Sequence, residues 1–319
     1  MNKAVKIVTH DRVAHADDVT AAAILRMAFG NVEVIRTRDP AILRAEAGRE
    51  GSFLIDVGGQ YDPARRLFDH HQPAGAGMRD AVAREWPYAS AGLVWKEYGE
   101  QAVRSVLNNL TVSADDAGVA EIVQYIDDAV LRYIDAVDCG VRVRTAGPSL
   151  SAIIASFNTT WFEKEAEIFP LVMELAQVLL TNYIKKYAGK VIARDMIRPA
   201  ERLLGGRVLL LDTSMPWSTV VAEEMPDVMM VLYPVETETS VQWQLRVAQN
   251  VDISVRMRFP ESWGGLESEA LDAAAGVSGT VFCHRSRHLA GATTKPAALA
   301  MAEEALRALA GDQPVALAA

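Results

Sequence analysis

An α/β fold in two parts is predicted by three observations. Apolar strand-like runs alternate with helical segments between residues 5 and 59, the middle of the chain is mostly helical, and strand signal returns after residue 206. Val5 to Thr9 alternates and meets a polar turn, so it predicts a strand ending at His10. From Asp17 to Phe29 the composition is helical, with carboxylates in the first turn and Gly30 as a stop. Val32 to Thr37 predicts a second strand, Asp39-Pro40 opens a short helix, and Phe53-Leu-Ile leads into Asp56-Val-Gly-Gly59. This alternation predicts βαβ units on a parallel sheet, whose functional residues gather at the carboxyl ends of the strands. His10 and Asp56 fall at such ends.

Ala91 to Tyr98, Val103 to Asn108 and Asp115 to Asp138 are expected to be helical. Phe162 to Leu204, with Gly189 and Pro199 as breakers, predicts one or two long connecting helices. Strands are expected within 207–213, 228–233 and 241–247, and a closing helix from Pro296 to Leu309. The 319 residues fit two domains of roughly 150 residues each. The boundary is placed so that residues 1–200 form the larger lobe with its connecting helices and residues 201–319 a smaller α/β lobe.

Composition narrows the function. A formal charge of −9 argues against a protein that coats nucleic acid through a basic face. Cys139 and Cys283 cannot build a disulfide framework and form no C-x-x-C pair. No apolar run approaches the ~18 residues of a membrane helix, and no secretory h-region is present, so a cytoplasmic protein is expected.

Four of the six histidines, His10, His15, His70 and His71, lie in the first quarter of the chain, each beside a carboxylate. His10, His15 and Asp17 form an H-x4-H-x-D array on a strand-to-helix turn, where a loop can aim three donors at one point. Imidazole with carboxylate, and no thiolate, suits Mn, Zn or Fe rather than a closed structural zinc site. Asp56 ends an apolar strand and would be costly if buried alone. Asp69-His70-His71 follows, and neighbouring residues of an extended segment face opposite ways, so one histidine can ligate while the other faces substrate. Asp69 can fix a histidine tautomer. Asp127, Asp128, Asp135 and Asp138 lie on or just after a helix, with Asp135 and Asp138 on one face. Taken singly, a strand-end Asp is most often a turn or cap residue, and Asp127 and Asp128 read as a solvated face. The four motifs together supply the donors that a two-metal site requires.

The order of these motifs resembles the DHH phosphoesterase superfamily. Asp56-Val-Gly-Gly-Gln-Tyr-Asp-Pro with Phe68-Asp-His-His-Gln72 is similar to its branch of melanocyte-proliferating-gene exonucleases. Phe157-Asn158-Thr-Thr-Trp161, Met215-Pro-Trp217, Arg258-Phe-Pro260 with Trp263-Gly-Gly-Leu266, and Val281-Phe-Cys-His284 through Lys295 resemble later blocks of that family. The resemblance implies a DHH-type N-terminal lobe and a Mn-dependent 3′-to-5′ exonuclease acting on RNA, single-stranded nucleic acid or a short oligonucleotide. It implies His10, His15 and Asp56 as ligands of one metal, and Asp17, Asp56, His70 and Asp138 as ligands of a second, with Asp56 shared. Two Mn ions per chain are expected, with Mg, Zn or Fe as substitutes, and Asp135 is the alternative to Asp138. His71 and Asp69 are assigned to catalysis.

The chain departs from the family pattern at Arg12 and Ala14, where a glycine and an aromatic are usual, and at Asp18, Cys139 and Ala290. Ala290-Gly-Ala-Thr-Thr-Lys295 is read as a small polar loop before a helix, a shape suited to phosphate, with His284, Gly291 and Lys295 as substrate contacts. An ordinary helix cap at Thr294 is the competing reading. Three carboxylates, Asp17, Asp56 and Asp138, against two divalent cations leave a positive centre that attracts a phosphodiester. Hydrolysis of a small phosphate ester, or a metal-binding homologue without turnover, are the alternatives; amide hydrolysis lacks the H-E-x-x-H helix. A homo-oligomer is compatible with all of these.

Overall fold

The computed structural model describes residues 4–79, 86–144, 146–164 and 166–311. The chain divides into two compact units, Met1–Ala188 and Gly189–Ala319, so the division falls inside a helix upstream of residue 200.

The first unit opens with strand β1 (Val5–Thr9), helix α1 (Ala16–Phe29), β2 (Val32–Arg36), α2 (Pro40–Glu46), β3 (Ser52–Ile55), β4 (Tyr61–Asp62) and β5 (Leu67–Phe68). The strand order is β2-β1-β3-β5-β4, parallel except for β4. Ile7 pairs with Val34 on one side and Phe53 on the other, which sets the register of the apolar centre. Helix α1 is buried around most of its circumference, because Ala21, Ala22, Ala23, Ile24 and Leu25 present small or aliphatic groups to every neighbour. Gly30, at φ 84°, ends it. Asp39 caps α2 through Ala41 N–H, with Pro40 at the first helical position.

A short pair, β6 (Met78–Arg79) and β7 (Trp86–Pro87), precedes α3 (Ser90–Asn109), α4 (Asp116–Ile126), a π-helical turn (Asp127–Leu131), α5 (Arg132–Asp138), α6 (Leu150–Ala155) and α7 (Phe169–Ile197). The two helical runs expected within 91–108 are one helix. Gly99 lies within it, and the Trp95 ring occupies the space a Cβ there would need. Helix α7 begins at Phe169 rather than Phe162, with Pro170 in the first turn, where its missing N–H has no intrahelical partner to lose. Among the described residues no helix is long and apolar enough to cross a membrane.

The second unit contains β8 (Arg202–Leu203), β9 (Val208–Leu210), α8 (Ser218–Glu224), β10 (Met230–Glu236), β11 (Val241–Val247), α9 (Ser268–Ala275), β12 (Thr280–Cys283), β13 (Leu289–Ala292) and α10 (Lys295–Gly311). Its sheet runs β12-β13-β11-β10-β9-β8, with only β9 and β10 parallel. The period of two in β10 feeds two cores: Met230 and Leu232 pack with Phe259, Trp263 and Met301, whereas Val231 and Tyr233 pack with Trp217 and Ile197.

One expectation is corrected here. Ala290 and Gly291 are not in a phosphate loop but in β13, with Gly291 paired to Gln244 of β11 and Phe282 of β12. Ala and Gly have weak strand propensity, so the pairing is imposed by the flanking strands. A Cβ on Gly291 would lie 2.7 Å from Phe282 Cε1. The helix cap at Thr294 is present, its Oγ1 accepting from Ala297 N–H at 3.3 Å. Gly291→Ala is accordingly expected to destabilise the protein by about 1–3 kcal/mol in urea titrations, and most of that loss should vanish in a Phe282→Ala background. Equal losses in both backgrounds would contradict the ring contact.

Candidate metal centre

The strand order decides what meets. β3 lies between β1 and β5, so the residues after their carboxyl ends, His10, Asp56 and Asp69-His70-His71, gather with Asp56 in the middle. Asp56 takes φ 56°, a left-handed conformation that Asp tolerates better than most residues. Gly58 and Gly59 follow at φ 96° and 66°, and the turn they permit lets Gly59 N–H donate to Asp69 Oδ2 at 2.5 Å.

His10 Nε2 lies 3.1 Å from Asp56 Oδ2 and 3.2 Å from Asp18 Oδ2. The His15 ring centroid is 5.1 Å from that of His10. On the other side of Asp56, His70 Nε2 lies 3.0 Å from Asp138 Oδ2, 3.4 Å from Asp56 Oδ1 and 3.9 Å from Asp17 Oδ2. Potential ligand atoms of His10, His15 and Asp56 lie within 4.8 Å of one another, as do those of Asp17, Asp56, His70 and Asp138. Asp56, His70 and His71 form a third such group. Asp56 is common to all three.

Asp17 is held by a helix end. Ala89 precedes α3 without a capping side chain, and Asp17 accepts instead from Ser90 N–H at 3.0 Å and Ala91 N–H at 2.6 Å. Gly92 N–H donates to Asp135 Oδ1 at 3.0 Å. Carboxylates from α1 and α5 thus cap α3 across the interior, where its positive end stabilises them. A Cβ on Gly92 would collide with the Asp135 carboxylate and the Arg79 guanidinium.

Of the pair left open by the sequence, Asp138 reaches His70, whereas Asp135 is engaged by Gly92 and by an ion pair with Arg79. Asp127 is not on a solvated face. It accepts from Arg79 Nη2 and Nε at 2.7 and 3.0 Å, aimed inward from the π-helical turn.

Asp69 accepts from His71 N–H at 3.0 Å and from His71 Nδ1 at 2.7 Å. That fixes the ring, while the His71 side chain stays 61% exposed. Sequence reasoning missed the Arg79 contacts and Asn158, whose amide donates to Ala14 O and accepts from Ala14 N–H, both at 2.9 Å, bracing the loop between His10 and His15. It also gave Asp18 no role. This residue accepts from His15 N–H at 2.8 Å at the start of α1 and lies against His10.

The centre holds more buried carboxylate than its own cations neutralise. Burial and then Asp56 push Asp17 well above the usual carboxylate range. Burial raises Asp18 to about 7 although His10 opposes it. Burial works against the imidazolium of His10 and of His70, but Asp56 beside both, with Asp138 beside His70, raises them above the ordinary histidine value. Asp56 is held below the ordinary range because His10 and His70 outweigh its burial. Buried atoms His10 Nε2, His70 Nε2, Asp18 Oδ2 and Asp56 Oδ1 have these close neighbours yet no hydrogen bond of acceptable geometry. Cys139 Sγ sits behind His70, at 3.6 Å from its Nδ1. A set of imidazole nitrogens and carboxylate oxygens, short of positive charge and of hydrogen bonds, fits divalent cations.

Fold and site define a two-unit α/β protein whose parallel-sheet edge carries a histidine–carboxylate centre suited to divalent metal. Residues 6–306 match the family MYG1_exonuc, described as an uncharacterised protein family (UPF0160), and the chain belongs to that family. It is similar to the MYG1 exonuclease of Homo sapiens, 28% identical over 329 residues that cover 94% of this chain and 85% of the human protein. It is also similar to a MYG1 protein of Schizosaccharomyces pombe, 28% identical over 344 residues covering 96% and 98% of the two chains. A solved structure titled as the pGpG-specific phosphodiesterase PggH from Vibrio cholerae aligns over 98% of this chain and 100% of its own at 11% identity, but a TM-score of 0.27 carries no weight.

A pH dependence follows. Asp17, Asp18 and Asp135 bind protons more tightly folded than unfolded, so each lowers stability as pH rises from about 4 towards 7. The raised His10 and His70 contribute stability that is complete below about 6.5 and lost as pH rises through their folded values. Both effects run the same way. In chelator, the urea midpoint should therefore be higher at pH 5 than at pH 8, and adding Mn should raise the pH 8 midpoint more. A chelated protein more stable at pH 8 would contradict this electrostatic account.

Proposed function

We propose that this chain is a metal-dependent phosphodiesterase, a 3′-to-5′ exonuclease on RNA or single-stranded nucleic acid, working with two Mn-class cations. The observation that carries the reading is one carboxylate, Asp56, shared by a His10–His15 group and an Asp17–His70–Asp138 group. The naming of its relatives as exonucleases supports the same class of reaction.

His10, His15 and Asp56 would hold one cation and Asp17, Asp56, His70 and Asp138 the other. Bound there, divalent ions supply Lewis acidity and a water of lowered pKa, the chemistry of in-line phosphodiester hydrolysis. The protein's own part is positional. The amides at the start of α3 hold the Asp17 carboxyl in place at the centre. Asp69 holds the His71 ring through Nδ1, leaving Nε2 to bond a phosphate oxygen or to deliver a proton to the leaving oxygen. Charge also serves the reading: three carboxylates against two divalent cations leave an attraction for phosphate in a chain whose net charge is −9.

In the second unit His284 and Lys295 are the proposed phosphate contacts. His284 Nδ1 lies 2.6 Å from Ser286 Oγ, and Lys295 Nζ lies 5.8 Å from the Trp243 ring centre. Gly291, paired on both sides within its sheet, supports that surface rather than binding phosphate through a loop.

The test is divalent-dependent release of mononucleotides from the 3′ end of a labelled oligonucleotide. His71→Ala should retain its metal and lose about 10²- to 10⁴-fold in kcat. His70→Ala should lose metal, and Asp56→Asn should lose the most, since Asp56 serves both groups. Equal metal loss in the His70 and His71 variants would overturn the division of roles. Turnover of small phosphate esters alone would replace the exonuclease reading.

A further inference from the structure

The first unit displays aromatic surface that its core does not use. Trp161 is 94% exposed and Phe162 70%, and their rings meet edge to face at 5.5 Å. The segment that carries them is ordered by its own bonds. Thr160 donates its N–H and its hydroxyl to Glu163 Oε2, at 2.7 and 2.8 Å, closing the turn around both rings. Three residues before Trp161, Asn158 grips both backbone atoms of Ala14, which lies between His10 and His15. The aromatic turn is thereby fastened to the loop that presents the first group of candidate ligands.

A groove of about 530 Å³ lies along this junction, lined by Arg12, Val13, Asn158, Thr159, Glu163 and Ile168 among others. A second hollow of about 470 Å³ continues from Arg12 to His15 and Arg38. Arg12 lines both. Its backbone takes φ 68°, a left-handed conformation unfavourable for arginine, and its exposed guanidinium makes no hydrogen bond to a described residue. Arg36 bonds the carbonyls of His10 and Arg12, and Arg38 that of Asp11, so the strained loop is braced from β2 and its exit.

We propose that Trp161 and Phe162 form a stacking platform for a nucleobase of a single-stranded chain whose neighbouring phosphate is held by Arg12 beside the metal centre. The inference rests on the nuclease reading and deepens it by naming how the substrate is gripped. An exposed indole on the turn whose Thr159 and Glu163 line the groove, and a cation, Arg12, that lines both it and the hollow beside His15, match a polymer that alternates π faces with negative charge.

The test is steady-state kinetics on a seven-nucleotide oligomer, intact or carrying one abasic position moved along it, with the Mn-loaded full chain. Trp161→Ala should raise KM about 5- to 100-fold with kcat little changed, and with Mn content and Tm unaltered. Trp161→Phe should recover most of the loss. An abasic site at the stacked position should cost the wild type the same factor and cost Trp161→Ala nothing more. An unchanged KM, or losses that multiply, would overturn the platform and leave the nuclease reading standing. Failure of the wild type to cleave any oligomer would overturn both. Light scattering that shows Trp161→Ala converting an oligomer to a monomer would assign the rings to a subunit contact and overturn the platform.

Discussion

The buried carboxylate of Asp56 is the constraint on which the first unit is organised. It closes the middle strand of a parallel sheet, between β1 and β5, and lies within 3.1–3.4 Å of imidazole nitrogens on both sides. Burying such a group alone would be prohibitive. The fold answers by drawing positive ends and imidazoles toward the same edge. His10 and His70 flank Asp56, the start of α3 receives Asp17 and Asp135, and Arg79 binds Asp135 and Asp127. Even so, Asp17 and Asp18 remain pushed above the carboxylate range, and several buried polar atoms have neighbours without hydrogen bonds. The protein is built with a deficit of positive charge at one point, which is the electrostatic form of a divalent metal site.

Strand order supplies the rest of the chemistry. Because β3 separates β1 from β5, the two histidine-bearing loops cannot touch each other without Asp56 between them. Sharing of one carboxylate is thus a consequence of topology rather than of any one loop. The adjacent His70 and His71 point apart for a local reason: Asp69, tied to Gly59, turns His71 outward while His70 points to Asp138.

The histidine–carboxylate cluster was legible because it sits where a parallel sheet exposes side chains, at strand ends marked by turn glycines and by histidines beside carboxylates. The α1 boundaries were legible for the same local reasons, in the first-turn carboxylates and Gly30. What escaped was non-local. Arg79 meets Asp135 across 56 positions and Asn158 meets Ala14 across 144, and nothing in either neighbourhood announces the partner. Nothing in the sequence around Gly92 marks it, yet it is required where two charged side chains cross the start of α3. β13 escaped because Leu-Ala-Gly-Ala carries little strand propensity and is held by Phe282 packing over Gly291.

Anomalous scattering at the manganese edge, from crystals grown with Mn, tests the central claim most directly. Two peaks about 3.5–4 Å apart should flank Asp56, one beside His10 and His15 and the other beside Asp17, His70 and Asp138. A single peak, or two peaks of which only one touches Asp56, would contradict the shared-carboxylate account.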